Sequence, residues 1–203
     1  QRVSGSSEAN YQSIFAELVK EGQNLFGNSY NYQIERFGKW LTPDMIKNAR
    51  DDRGRTILMA CIFYELLIPS TYLSQGGDVN AKDYDGCTAL MYEASSRRCH
   101  NIHLQELLKA GADVNAQSNT GMTALMALVL NTGTEKKECI QTLIDAGADI
   151  NAETQDGWTA LSIAEYYGYE ETADILRSHG ATETPTPANF QFPLNPGFIV
   201  STG

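Results

Sequence analysis

Apolar positions recur at helical steps in short blocks along this chain, and the blocks themselves repeat. From Glu8 onward Tyr11, Ile14, Phe15, Leu18, Val19 and Leu25 fall at three- and four-residue steps, which predicts an amphipathic helix. Ser7 is its expected N-cap, and Gly27-Asn28-Ser29 its stop. Ile34, Phe37, Trp40 and Leu41 predict a second helix, broken at Thr42-Pro43. Four similar blocks follow, each with a glycine two residues before a Thr-x-Leu: Thr56-Ile57-Leu58, Thr88-Ala89-Leu90, Thr123-Ala124-Leu125 and Thr159-Ala160-Leu161. Each Thr-x-Leu is expected to open a short inner helix. A second helix in each of the first three blocks ends in an apolar pair: Tyr72-Leu73, Leu107-Leu108 and Leu143-Ile144. The last one ends in the more polar Ile175-Leu176-Arg177-Ser178, as an outer cap should. The longest apolar run, Ala124–Leu130, is far shorter than the ~18 residues of a membrane span.

Between the blocks one phrase recurs. Gly111-Ala112-Asp113-Val114-Asn115-Ala116 leads to Gly121-Met122-Thr123-Ala124-Leu125. The same wording runs from Gly76 to Leu90 and from Gly147 to Leu161, with the Asn always six residues before the turn glycine. A weaker copy keeps that spacing from Asn48 to Gly54. The turn glycines Gly54, Gly86, Gly121 and Gly157 stand 32, 35 and 36 residues apart. A fixed phrase at a period in the thirties is the signature of stacked repeats. One helix pair of this size cannot bury its apolar face alone, so Leu58, Leu90, Leu125 and Leu161 are expected to line one shared core. The turn glycines are expected at positive φ or under close approach. Asp78, Asp113 and Asp149 are expected to bond turn backbone rather than to pair as acid and base. The extra residues of the second and third units fall between their helices, around Ser95–His100 and Asn131–Glu138.

The phrase Gly-Ala-Asp-Val-Asn-Ala, the six-residue step to Gly and the Thr-x-Leu together resemble the ankyrin repeat, strongly over 51–181 and weakly over 8–50. In place of the family's Thr-Pro-Leu-His, this chain has Ala or Ile for Pro and Met59, Met91, Met126 or Ser162 for His. The resemblance implies an all-α repeat fold: an ankyrin-like solenoid of stacked helix–turn–helix units joined by β-hairpin loops. On that basis residues 1–50 form a leader and degenerate N-terminal capping helices. Four repeats occupy 51–82, 83–117, 118–153 and 154–181, and 182–203 is a Pro-rich extended tail. Each proline of Thr184-Pro185-Thr186-Pro187 disfavours helix in the residue before it. Phe190, Phe192 and Phe198 are expected to pin that tail over the exposed end of the stack, the alternatives being the chain's own groove or a neighbouring molecule.

An ankyrin-like stack exposes hairpin tips and inner-helix ends on one concave side. The positions flanking the turn glycines include Arg53, Arg55, Tyr84, Met122 and Trp158, and the helix ends carry Tyr64, Tyr166 and Tyr167. Trp, Tyr and Arg dominate interface energetics, so these eight residues are the expected partner-binding row. Glu170-Glu171 adds an acidic edge beside Tyr166, Tyr167 and Tyr169. With 15 basic and 25 acidic residues the net charge is −10, which repels phosphate backbones. The expected partner is therefore a protein with a neutral or basic surface, not a nucleic acid. The expected function is a non-enzymatic protein–protein interaction module. The alternative is an inhibitor or immunity-type protein that blocks a partner enzyme's active site with the Ser95–His100 and Asn131–Glu138 insertions.

Other chemistry is sparse. His100, His103 and His179 have no nucleophile at motif spacing, and no Gly-rich phosphate loop is written, so neither catalytic residues nor a cofactor are expected. His100 and His103, three apart, could share a helix face, but no third ligand stands in phase; a solvated loop is expected there, without a metal. The cysteines Cys61, Cys87, Cys99 and Cys139 make no Cys-x-x-Cys pair. Cys99 and Cys139 occupy similar places in adjacent units and are expected reduced, a disulfide being reserved for an exported chain. The chain opens at Gln1 without a methionine. That leaves the compartment open, cytoplasmic by default, with a removed signal peptide and a periplasmic or exported home as the alternative.

Overall fold

A computed structural model describes residues 43–63, 70–74, 76–96, 99–131 and 136–183. The two N-terminal helices expected before residue 42, Tyr64 and the tail beyond residue 183 lie outside the described residues. The first described helix, α1 (Pro43–Asn48), begins where the sequence pattern predicts a break. Proline is suited to the first helical position, because its fixed φ is helical and its missing N–H has no partner to lose there.

The inner helices are α2 (Ile57–Phe63), α4 (Ala89–Ser95), α6 (Ala124–Leu130) and α8 (Ala160–Tyr166). Each starts immediately after the threonine of its Thr-x-Leu. Thr88, Thr123 and Thr159 are extended N-caps whose hydroxyls accept the N–H of Met91, Met126 and Ser162. Thr56 does the same for Met59 at 3.2 Å. At Thr159 the bond is reciprocal: its own N–H donates to Ser162 Oγ at 2.9 Å, closing a capping box. These helices are apolar nearly all round, so they can only be interior. They stack in the order α2, α4, α6, α8, with Leu58, Leu90, Leu125 and Leu161 all buried as expected. Burying each such side chain contributes roughly 1.5–3 kcal/mol.

The outer helices are α3 (Ser70–Ser74), α5 (Asn101–Lys109), α7 (Lys137–Asp145) and α9 (Glu170–Ser178). They bury one stripe only: Leu104 and Leu107 on α5, Cys139, Ile140 and Leu143 on α7, Ala173 and Leu176 on α9. α5 packs on α4 and α7, α7 on α6, and α9 on α8.

No strand occurs among the described residues, so the loops expected as β-hairpins are tight turns instead. In one of them Asp83 N–H donates to Cys87 O at 3.0 Å and Gly86 N–H to Asp83 O at 3.1 Å. Successive tips are joined by single backbone bonds: Tyr84 N–H to Arg53 O at 3.0 Å, Asn119 N–H to Asp85 O at 2.9 Å, Gln155 N–H to Thr120 O at 3.0 Å. One such bond per step is too few for a ladder. Gly86 and Gly121 have φ of +77° and +82°, and a Cβ at Gly121 would stand 2.8 Å from Thr154 Cα. Both requirements for glycine therefore coincide at that turn.

The repeated Asn is a clasp. Asn115 Nδ2 donates to Gly147 O at 3.0 Å, and its Oδ1 accepts Asp149 N–H at 2.7 Å. Asn80 holds Gly111 and Asp113 in the same way, and Asn151 holds Gly180 and Thr182. Asp78, Asp113 and Asp149 each accept the N–H two residues on, at 2.9–3.0 Å. They bond turn backbone, as the sequence suggests. Asn48 keeps the spacing but donates to Asp44 within α1 at 2.8 Å.

Candidate partner-binding surface

The turns that carry most of the expected binding row share one internal device. Asp51 Oδ1 accepts the N–H of Arg53 at 3.0 Å and of Arg55 at 2.8 Å; Asp83 Oδ1 does the same for Asp85 and Cys87. Ser118 Oγ takes Thr120 and Met122, and Thr154 Oγ1 takes Trp158. In the first three turns the residue before the glycine is thereby held at the tip. The residue after it is drawn under the turn.

That alternation corrects the expected row. Arg55, Met122 and Trp158 are buried, Trp158 to 1 % exposure, and so is Cys87 in the same column. Arg55 is closed in by Asp51, whose carboxylate accepts from Nε at 2.6 Å, and by the Phe63 ring 4.6 Å from its guanidinium carbon. The next unit repeats this polar seam, with the Tyr92 hydroxyl donating to Asp83 Oδ2 at 2.7 Å. Burial, then that hydrogen bond, pushes the Tyr92 hydroxyl well above its ordinary range. The sequence carries only a hint of this column: three of its four members, Cys87, Met122 and Trp158, are apolar, while Arg55 is not.

Four members of the row do reach solvent. Tyr84 is 72 % exposed, Tyr166 49 % and Tyr167 39 %, and Arg53 is exposed at its tip. The tyrosines at the end of α8 stand on a buried base. Trp158 meets Tyr166 edge-on with centroids 5.7 Å apart, Tyr166 meets Tyr167 edge-on at 5.2 Å, and Tyr167 stacks on Tyr169 at 5.6 Å. Glu170 and Glu171 lie exposed beside them, with Glu171 paired to Lys137 of α7. Arg177 ties the start of this face to the end of the stack by bonding Glu165 at 2.6 Å and Asp174 at 3.2 Å.

The segment around His100 is not the solvated loop that the spacing suggests. Asn101–Lys109 is helical, Cys99 is buried, and His103 is largely covered. Glu93, at the end of α4, comes in beside both imidazoles. It is a third ligand type that no sequence phase signals. The two insertions are lashed to each other here: Lys136 Nζ donates to Ser96 O at 2.7 Å, Asn131 Nδ2 to Ser95 O, and Cys139 Sγ to Cys99 O at 3.0 Å. All four cysteines are buried free thiols. The Cys139 thiol beside it, and then burial, hold the Cys99 thiol above its ordinary range.

None of the curated proteins compared with the chain matches it. A family model does: residues 94–186, from the end of α4 past α9, match ankyrin repeats in three copies. The stacked helix pairs, capped inner helices and asparagine clasps span that stretch, which is similar to the ankyrin repeat family.

Proposed function

We propose that this chain is a non-enzymatic module that binds a protein partner on its concave side through Arg53, Tyr84, Tyr166 and Tyr167. Ankyrin repeats generally mediate protein–protein interaction, and the family is typically non-enzymatic. The observation that carries the proposal is the exposed aromatic end of α8, braced from behind by Trp158 and from the side by Tyr169. Rings held in place by their neighbours lose little freedom on binding, so their area converts well into affinity. A net charge of −10 favours a neutral or basic protein surface and disfavours nucleic acid. No described helix is long and apolar enough to cross a membrane. The wedge required by the inhibitor alternative includes residues 132–135, outside the described residues, and no specific observation favours it.

The test is capture of a partner from the native source, followed by titration of that purified partner against variants. Tyr166→Ala and Tyr167→Ala should each weaken binding by more than about 1 kcal/mol, with little change in melting for Tyr167→Ala and a loss of stability near the ~0.5–1.5 kcal/mol of the Trp158 ring pair for Tyr166→Ala. Ile102→Ala, an exposed residue of the outer helix α5, should leave affinity unchanged. Equal affinity for wild type and the Tyr166→Ala/Tyr167→Ala double variant would place the surface elsewhere.

A further inference from the structure

The strongest unassigned chemistry lies where α4 ends and α5 begins. Glu93, His100 and His103 each offer a ligand atom there, and these atoms all lie within 4.8 Å of one another. The carboxylate is held in place: Glu93 Oε1 accepts the backbone N–H of His100 at 2.8 Å. His103 Nδ1 stands 3.4 Å from Glu93 Oε2, and His100 Nδ1 stands 3.8 Å from Oε1. The two rings are inclined by 50° with centroids 4.8 Å apart.

Both imidazole-to-carboxylate distances exceed the 2.7–3.2 Å or so of an ordinary N–H···O bond. The His103 distance is close to the ~3.3 Å edge of a tetrahedron built on zinc–ligand bonds of about 2.0–2.1 Å, and the half-exposed His100 ring, on the other carboxylate oxygen, has to shift inward to complete it. The Glu93 side chain is only 3 % exposed, in a chain already carrying a net charge of −10. A buried carboxylate is costly unless a cation compensates it. The buried Lys136 ammonium feels the Glu93 charge, but it hydrogen-bonds Ser96 O at 2.7 Å. What faces the carboxylate is a pair of imidazoles, which in their neutral form are metal ligands. His100 is half exposed, which leaves an open side for a water as fourth ligand.

We propose that Glu93, His100 and His103 form a binding site for one divalent transition-metal ion of the zinc type. Two nitrogens and one carboxylate oxygen suit zinc and cobalt(II) better than the hard, all-oxygen-seeking magnesium or calcium. An ion there would tie the end of α4 to the start of α5 and neutralise the buried charge.

The experiment is titration of the full chain, stripped with chelator and kept reduced, with cobalt(II) by absorption and with zinc by calorimetry. One equivalent should bind, with a tetrahedral cobalt(II) spectrum. Removing even an outer partner of a metal site costs about 10–100-fold in affinity, so Glu93→Gln and His100→Ala should each cost at least that. His100→Ala alters a half-exposed side chain and keeps the test valid if Glu93→Gln fails to fold. No binding by the wild-type chain, or unchanged affinity in a folded variant, would overturn the assignment. A cobalt–thiolate charge-transfer band would also overturn it, by placing the ion on Cys99 and Cys139.

Discussion

Trp158→Ala separates core from surface at the most deeply buried of the residues whose place the structure reverses. Trp158 is 1 % exposed, and its ring lies beneath Tyr166 with centroids 5.7 Å apart. Truncating a fully buried Trp typically costs about 3–5 kcal/mol through lost transfer energy and the cavity left behind. The edge-to-face pair with Tyr166 accounts for some 0.5–1.5 kcal/mol beyond area. The backbone bond from Trp158 N–H to Thr154 Oγ1 survives the change, so the loss is one of packing rather than of turn geometry. For a chain of this length, each kcal/mol lowers the melting midpoint by about 2–4 °C. The expected fall is then roughly 6–20 °C. Thermal unfolding followed by far-ultraviolet circular dichroism measures it and urea unfolding the free energy behind it, with Trp158→Phe as a milder companion that refills most of the cavity. A variant within about 1 kcal/mol of wild type would show that the ring is not core and that the inward column is misassigned. Any partner affinity lost in Trp158→Ala should be accompanied by lost stability, unlike that lost in Tyr167→Ala.

Asn115→Ala removes two bonds that cross between units, each worth about 0.5–1.5 kcal/mol net; because the site is exposed and water can replace them, a destabilisation of about 1–2 kcal/mol is expected in the same urea assay. No loss at all would mean that the clasp is ornamental. Gly121→Ala should cost more than Gly111→Ala, since both sit at positive φ but only at Gly121 would the new Cβ meet backbone, at 2.8 Å from Thr154 Cα. Equal costs would show that the turn yields freely. Burial pushes the Cys61 thiol up from 9.0 to about 12, so the folded chain holds that proton more tightly than the unfolded one. Stability from this group is full below pH 9 and is lost as pH rises from 9 toward 12, which urea midpoints at increasing pH will follow. A flat alkaline profile, or fast native-state alkylation of Cys61, would contradict its burial.

Everything set by short spacing was legible in the chain itself. Thr-x-Leu starts a helix because the threonine hydroxyl caps an N–H three residues on. Asp113 bonds Asn115 two residues on. The turn glycines are demanded by φ and close approach, and one buried leucine per unit lines the shared core. These interactions need only a few residues in a row, so a repeated phrase reveals them. Which side of the turn faces inward was decided by packing: Arg53 reaches solvent while Arg55 meets Asp51 and Phe63, although the two flank the same glycine. The meeting of Glu93 with His100 and His103, or of Cys139 with the Cys99 carbonyl 40 residues away, follows no helical or repeat period. It depends on the angle at which separate helices pack, and only the assembled stack sets that angle.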